Sequence, residues 1–283
     1  MRFGTLVALL GLCFFSPCSF SKPAQNPADS QLPFDLRSEF LIVVEGRIGT
    51  LTHLKFLLDT GSTISIVSKK LARQSNLRLG PGTTTVTARG SEQTLMSSTL
   101  PELQIGSLRI MGHRFFVGEV AAISEFATDV DAVIGLDVLS RCETLEIDYA
   151  RRTIHFVTSR EHPSELPPTV RTFLVPATLQ GRTINLLVDT GIRGVLLFAD
   201  HLHRHVGRWE SSERSPVLLG TMRVDRLRLA SLWLGQEQIT DAVFVVPDSR
   251  SLLPDVMDGL IGPLALKGSW FALNFKNMTL RYH

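Results

Sequence analysis

Short runs of β-branched and aromatic residues alternate with polar, glycine-bearing turns along most of the chain. Phe40 to Val44, Leu54 to Leu58, Thr83 to Thr87 and His113 to Val117 have the length and composition of β-strands. Leu145 to Phe156 and Ala272 to Tyr282 predict hairpins, with polar turns near Ala150-Arg151 and Lys276-Asn277. Helical spacing is confined to Ile66 to Gln74 and Leu197 to Val206. The pattern predicts an all-β protein.

The chain also repeats itself. Leu57-Leu58-Asp59-Thr60-Gly61 returns as Leu187-Val188-Asp189-Thr190-Gly191, with Phe40-Leu41 before the first copy and Phe173-Leu174 before the second. Leu103 to Gly106 returns as Leu232 to Gly235, Asp131 to Gly135 as Asp258 to Gly262, and Ile147 to Phe156 as Leu273 to Tyr282. The offsets of these pairs, taken with the motifs first, are 130, 133, 129, 127 and 126 residues. One order with slowly drifting offsets is what a duplication with short loop insertions produces. The expected organisation is a signal peptide over 1–21, a flexible leader over 22–36, a first lobe over 37–158, a charged, proline-rich linker over 159–169, and a second lobe over 170–283.

The signal reading rests on Arg2, the apolar run Phe3 to Phe15, and the small residues Ser19 and Ser21. That run is shorter than the roughly 20 residues that cross a bilayer. Cleavage after Ser21 predicts a secreted or periplasmic protein with no membrane span. It also removes Cys13 and Cys18, leaving Cys142, between Arg141 and Glu143, as a buried core thiol without a partner. The segment between Ser21 and the first strand is too short for a basic inhibitory prosegment, so no proenzyme is expected.

Composition narrows the function. Hydrophobic residues make up 44% and charged residues 20% of 283, the range of a folded protein. A formal net charge of +2 gives no case for nucleic acid as a partner, where a concentrated basic face is expected. Arg223 to Arg228 alternates basic and apolar residues as an exposed strand face does. His201, His203 and His205 cluster, but no glutamate stands between them at metalloprotease spacing, so they read as a polar helix face. No metal and no cofactor are expected.

A single Asp-Thr-Gly is an ordinary turn. Two copies at equivalent points of a duplicated fold, each at the end of an apolar strand, can bring Asp59 and Asp189 face to face across a pseudo-twofold axis. Two close carboxyls cannot both ionise, so one keeps a proton while the other is charged. Such a pair can act as general base and general acid on one water.

With these residues the sequence resembles the aspartic proteases, especially the retropepsin-like bacterial kind, with two lobes in one chain. The resemblance rests on Leu58 to Thr63, Val188 to Gly191, Val133-Ile134-Gly135 and Leu260-Ile261-Gly262. It implies a closed β-barrel per lobe with a cleft between them, and an endopeptidase acting on an extended peptide or protein as monomer or homodimer. Asp59 and Asp189 would be catalytic. Thr60, Gly61, Ser62, Thr190 and Gly191 would support the active-site loops, and Gly135 and Gly262 would lie behind them. A flap is expected around Arg89 and Gly90, without the pepsin tyrosine, and a second flap-like hairpin around Gly220. Ser62 has no counterpart hydroxyl at Ile192, which is followed by Arg193. A Ser62 hydroxyl bonded to Asp59 would make Asp59 the more acidic member of the pair. The rival reading is a catalytically silent module that binds extended peptides or a partner protein in the same cleft.

Overall fold

The structure is a computed structural model. It describes residues 31–88, 91–120, 129–158, 172–199, 208–217, 220–228, 231–239, 243–246, 257–266 and 268–283. The signal segment, the linker and the histidine cluster lie outside these residues. The protein is strand-rich and all-β, with one sheet system of 14 strands and a second of nine. Among the described residues the nine-stranded system runs as one open path, and the 14-stranded system as an open path from which the pair Glu102–Ile105 and Leu108–Met111 branches at Leu41–Ile48.

Two strands show why the run into each aspartate is continuously apolar. Leu41–Ile48 pairs antiparallel with Leu51–Leu58. Ile42, Val44, Phe56 and Leu58 enter the large core cluster, while Leu41, Val43 and Leu57 enter a smaller one on the other face. Successive side chains point to opposite faces. A strand buried on both faces therefore carries no polar alternation. The motif-bearing strand of each lobe is gripped by a parallel neighbour. Phe56, Leu57 and Leu58 pair with Ala132, Val133 and Ile134. In the second lobe Leu186, Leu187 and Val188 pair with Gly259, Leu260 and Ile261.

The two lobes are joined by a shared sheet. Thr144–Asp148 of the first lobe pairs antiparallel with Trp270–Asn274 of the second, from Thr144 opposite Asn274 to Asp148 opposite Trp270. Each belongs to one of the two expected hairpins, whose second strands are Thr153–Val157 and Thr279–Tyr282. The rings of Phe34 and Phe271 meet Tyr149 edge-on at 5.9 and 5.7 Å.

The structure corrects several expectations. The leader does not run to residue 36, because Leu32–Arg37 is a strand, paired with Leu41–Ile48 and with Thr153–Val157. Burial of Phe34 against Tyr149 holds it there. The helix expected from Ile66 begins later. Ile66–Ser68 is a strand whose β-branched pair meets Val133 and Ala132 on one side and Phe116 and Val117 on the other. The helix is Lys69–Gln74, capped by Ser68, whose hydroxyl accepts the Leu71 N–H at 3.0 Å. Leu197 and Phe198 likewise belong to the strand Val195–Phe198, and residues 200–206 lie outside the described set. The repeat is shifted at its start. Val43 pairs with Leu57 as Leu174 pairs with Leu187, so Leu174 matches Val43 and not Leu41.

Both flap-like hairpins are present as strand pairs. Leu79–Ala88 pairs with Ser91–Thr99, and Arg208–Val217 pairs with Gly220–Arg228. The boundaries of the second follow those of the first by 129 residues, from 79 to 208 and from 91 to 220. Arg89 and Gly90 lie outside the described residues, and Gly220 opens the returning strand, opposite Val217.

Phe271 is 1% exposed at the junction of the lobes, packed against Tyr149 and stacked on Tyr282. Phe271→Ala is expected to cost about 3–5 kcal/mol in urea unfolding. A loss below about 1 kcal/mol would show that this junction is not part of the core.

Candidate active site

Each aspartate follows the last residue of its buried strand, and its backbone is fixed by the neighbouring parallel strand. The Asp59 N–H donates to the Ile134 carbonyl at 2.9 Å, and the Asp189 N–H to that of Ile261 at 3.0 Å. The chain then turns on its own carboxylate. The Gly61 N–H donates to Asp59 Oδ1 at 2.9 Å, and the Gly191 N–H to Asp189 Oδ1 at 2.6 Å.

The two turns lock through their threonines. Thr60 Oγ1 donates to the Val188 carbonyl at 2.8 Å and accepts the Thr190 N–H at 3.0 Å. Thr190 Oγ1 donates to the Leu58 carbonyl at 2.9 Å and accepts the Thr60 N–H at 3.1 Å. Both threonines are buried, so all four bonds lie away from water. Every hydroxyl uses its donor and one acceptor site across the lobe boundary.

This lock presses the carboxyls together. Asp59 and Asp189 are hydrogen-bonded through their side chains and are each 7% exposed. A methyl group on Gly61 would sit 2.5 Å from Asp189 Cγ, so no other residue fits that approach. Gly135 and Gly262 do the same work from behind. A Cβ on Gly135 would meet the Ile64 carbonyl oxygen at 2.4 Å, and one on Gly262 would meet that of Ile192 at 2.3 Å. The structure thus brings together Asp59, Thr60, Gly61, Asp189, Thr190 and Gly191, with Gly135 and Gly262 against the loops that follow.

Burial pushes the Asp59 carboxyl well above the ordinary carboxylate range and the charge of Asp189 pushes it further, against hydrogen bonds from the Gly61 and Ser62 N–H groups. Burial also raises Asp189, against hydrogen bonds from the Gly191 N–H, from Asp59 and from the Gly61 N–H. Both carboxyls are thus raised, and the proton belongs to the pair and not to either member. The bond on which the Ser62 expectation rested, from the Ser62 hydroxyl to Asp59, is not made. That hydroxyl donates to the Ile64 carbonyl at 2.7 Å, stabilising the loop and not the Asp59 charge. Ile192 has no hydroxyl to make the matching bond in the second loop.

A second polar group behind the first loop was not foreseen. Asp137 Oδ1 accepts the Ser65 hydroxyl at 2.6 Å and Oδ2 the Ser65 N–H at 3.1 Å, while His113 Nε2 lies 3.0 Å from Oδ2. The Ser65 hydroxyl in turn accepts the Gly135 N–H at 2.9 Å. A signal was available, since Asp137 is the lone charge among Leu136, Val138 and Leu139, and a polar group in a buried run needs partners. Cys142 is a core thiol, as expected, with its Sγ against the Leu139 carbonyl.

Comparison with protein families gives two matches. The family described as "gag-polyprotein putative aspartyl protease" matches residues 44–141, and the family described as "Aspartyl protease" matches residues 175–263. Each contains one Asp-Thr-Gly turn. No curated protein matches the chain.

Thr60→Ala would orphan the Val188 carbonyl and the Thr190 N–H. It is expected to lower stability by about 2–5 kcal/mol in urea unfolding. Thr60→Ser, which keeps the hydroxyl, should recover most of the loss. Equal losses in both variants would contradict the lock.

Proposed function

Because the chain carries two aspartyl-protease domains in tandem, in the manner of a two-lobe retropepsin-like aspartic protease, we propose that it is an endopeptidase working through Asp59 and Asp189. The observation that carries this reading is the hydrogen-bonded carboxyl pair at the crossing of the two threonine-locked turns. In the proposed reaction the charged member of the Asp59–Asp189 pair takes a proton from a water molecule, which attacks the carbonyl carbon of the scissile peptide bond. The protonated member donates its proton to the carbonyl oxygen. The carboxyl that took the water proton then gives it to the nitrogen, the other takes a proton back from a hydroxyl of the tetrahedral species, and the C–N bond breaks. Water adds across the peptide bond and no covalent enzyme intermediate forms. Thr60, Thr190, Gly61, Gly191 and Ser62 hold the two loops, and Gly135 and Gly262 let them seat.

An extended substrate is proposed to bind as an added strand under the hairpins that carry Arg89-Gly90 and Gly220. The outer strand Leu79–Ala88 ends its sheet path, as Arg208–Val217 ends the other, and such an edge offers backbone groups to a peptide. Both aspartates come from one chain, which supports the monomer as the working unit. No helix among the described residues is long and apolar enough to cross a membrane. The run from Phe3 to Phe15 supports export, so the proposed location is secreted or periplasmic.

The test is cleavage of an unfolded protein across acid to neutral pH. Asp59→Asn and Asp189→Asn should each lower turnover by about 10²–10⁴. The singly protonated pair is the working form, so the rate should rise as the first proton leaves and fall as the second leaves. Since burial raises both groups, the falling limb should lie above the ordinary carboxylate range. Undiminished turnover in either variant would refute the mechanism. Tight peptide binding with no turnover in the unmodified protein would favour the silent binding module.

A further inference from the structure

The two lobes are not charged alike around the carboxyl pair. Arg193 follows Asp189 by four residues, and the matching place after Asp59 is Thr63, which is uncharged. The backbone of Arg193 is held on both sides. The Ile192 N–H turns back to the Asp189 carbonyl, and the Gly194 carbonyl accepts the Gly262 N–H at 2.8 Å. Its side chain leaves this fixed loop, remains 66% exposed, and meets Glu39 of the other lobe at 2.7 Å.

Glu39 is placed with equal definition. Arg37 pairs with Leu41, and Ile42 pairs with Leu58, the residue before Asp59. The turn Ser38–Phe40 therefore projects past the end of the motif-bearing strand, level with the first Asp-Thr-Gly. Ser38 and Glu39 take left-handed backbone conformations there, with φ of 47° and 70°. The pair thus bridges the lobes, from the loop that carries Asp189 to the turn next to the end of the strand that carries Asp59.

We propose that Arg193, steadied by Glu39, is a specificity-determining residue that selects an acidic side chain at one substrate position flanking the scissile bond; this rests on the peptidase reading above. An ion pair this exposed contributes little to stability, so holding the fold together does not account for it. A guanidinium presents five N–H donors in a planar fork, and one carboxylate does not exhaust them. An acidic substrate side chain can therefore join Arg193 while Glu39 stays bound. A basic side chain would have to crowd a second cation onto a carboxylate already occupied by Arg193. Arg193 belongs to the loop that carries Asp189, so its charge is fixed in relation to the reacting groups.

The test uses peptides differing only in Glu, Gln or Lys at each position around one cleavable bond, with kcat/KM measured for the full-length protein. At one position Glu should exceed Gln by about tenfold, and Lys should be the poorest. In Arg193→Gln the Glu-to-Gln ratio should fall to about one, chiefly through loss on the Glu peptide. Arg193→Glu should shift the preference to Lys. An unchanged ratio in Arg193→Gln overturns the inference, as does a Lys preference in the unmodified protein that Glu39→Gln removes. The same peptides are titrated onto Asp59→Asn by fluorescence anisotropy. Tighter binding of the Glu peptide, abolished by adding Arg193→Gln, upholds the selection even if nothing is cleaved. In that case the peptidase reading alone fails. Equal binding of all three overturns the selection.

Discussion

Two carboxyl groups buried against each other repel unless a proton lies between them, and the fold is arranged around keeping them there. Neither lobe can do this alone. Thr60 closes its hydroxyl on the Val188 carbonyl and Thr190 closes its own on that of Leu58. The pair is therefore assembled only when the lobes meet. Behind each turn a glycine lets the following loop seat on the parallel strand, with backbone oxygens at distances that a side chain would not tolerate. The shared sheet of Thr144–Asp148 and Trp270–Asn274 supplies the cohesion that this contact needs.

The duplicated frame is symmetric where it builds the carboxyl pair and asymmetric where it surrounds it. Backbone and threonine bonds are matched across the lobes to within about 0.3 Å. Behind the first loop stands the polar group Ser65, Asp137 and His113. The places matching Ser65 and Asp137 in the second lobe are the apolar Val195 and Leu264. In front, the charged Arg193 follows the second motif and the neutral Thr63 the first. Half-to-half differences of this kind are open to a single chain, because a duplicated gene can vary each lobe separately.

Much of this was legible in the sequence, and for physical reasons. A strand buried on both faces must be apolar throughout, so Leu57-Leu58 and Leu187-Val188 announced themselves. The repeat then placed the two aspartates at equivalent points. The strand at Leu32–Arg37 was hidden because Pro33, Asp35 and Arg37 mask the one buried anchor, Phe34. Ile66 to Gln74 has helical spacing, yet its first residues lie between two strands, and sheet pairing overrode local preference. Ser62 was misread because its partner is a carbonyl two residues away, a choice of loop geometry that no spacing records. Glu39 and Arg193 are 154 residues apart in sequence and meet only through the lobe contact.

The central claim is that Asp59 and Asp189 share one proton. It is tested most directly by following the ¹³C carboxyl resonances of the two aspartates through a pH titration of the labelled protein. The account predicts coupled steps, with one group held protonated well above the roughly 3.9 of a free aspartate. Replacing Asp189 by Asn should abolish the coupling. Two independent transitions in the ordinary range, unaffected by that replacement, would contradict it.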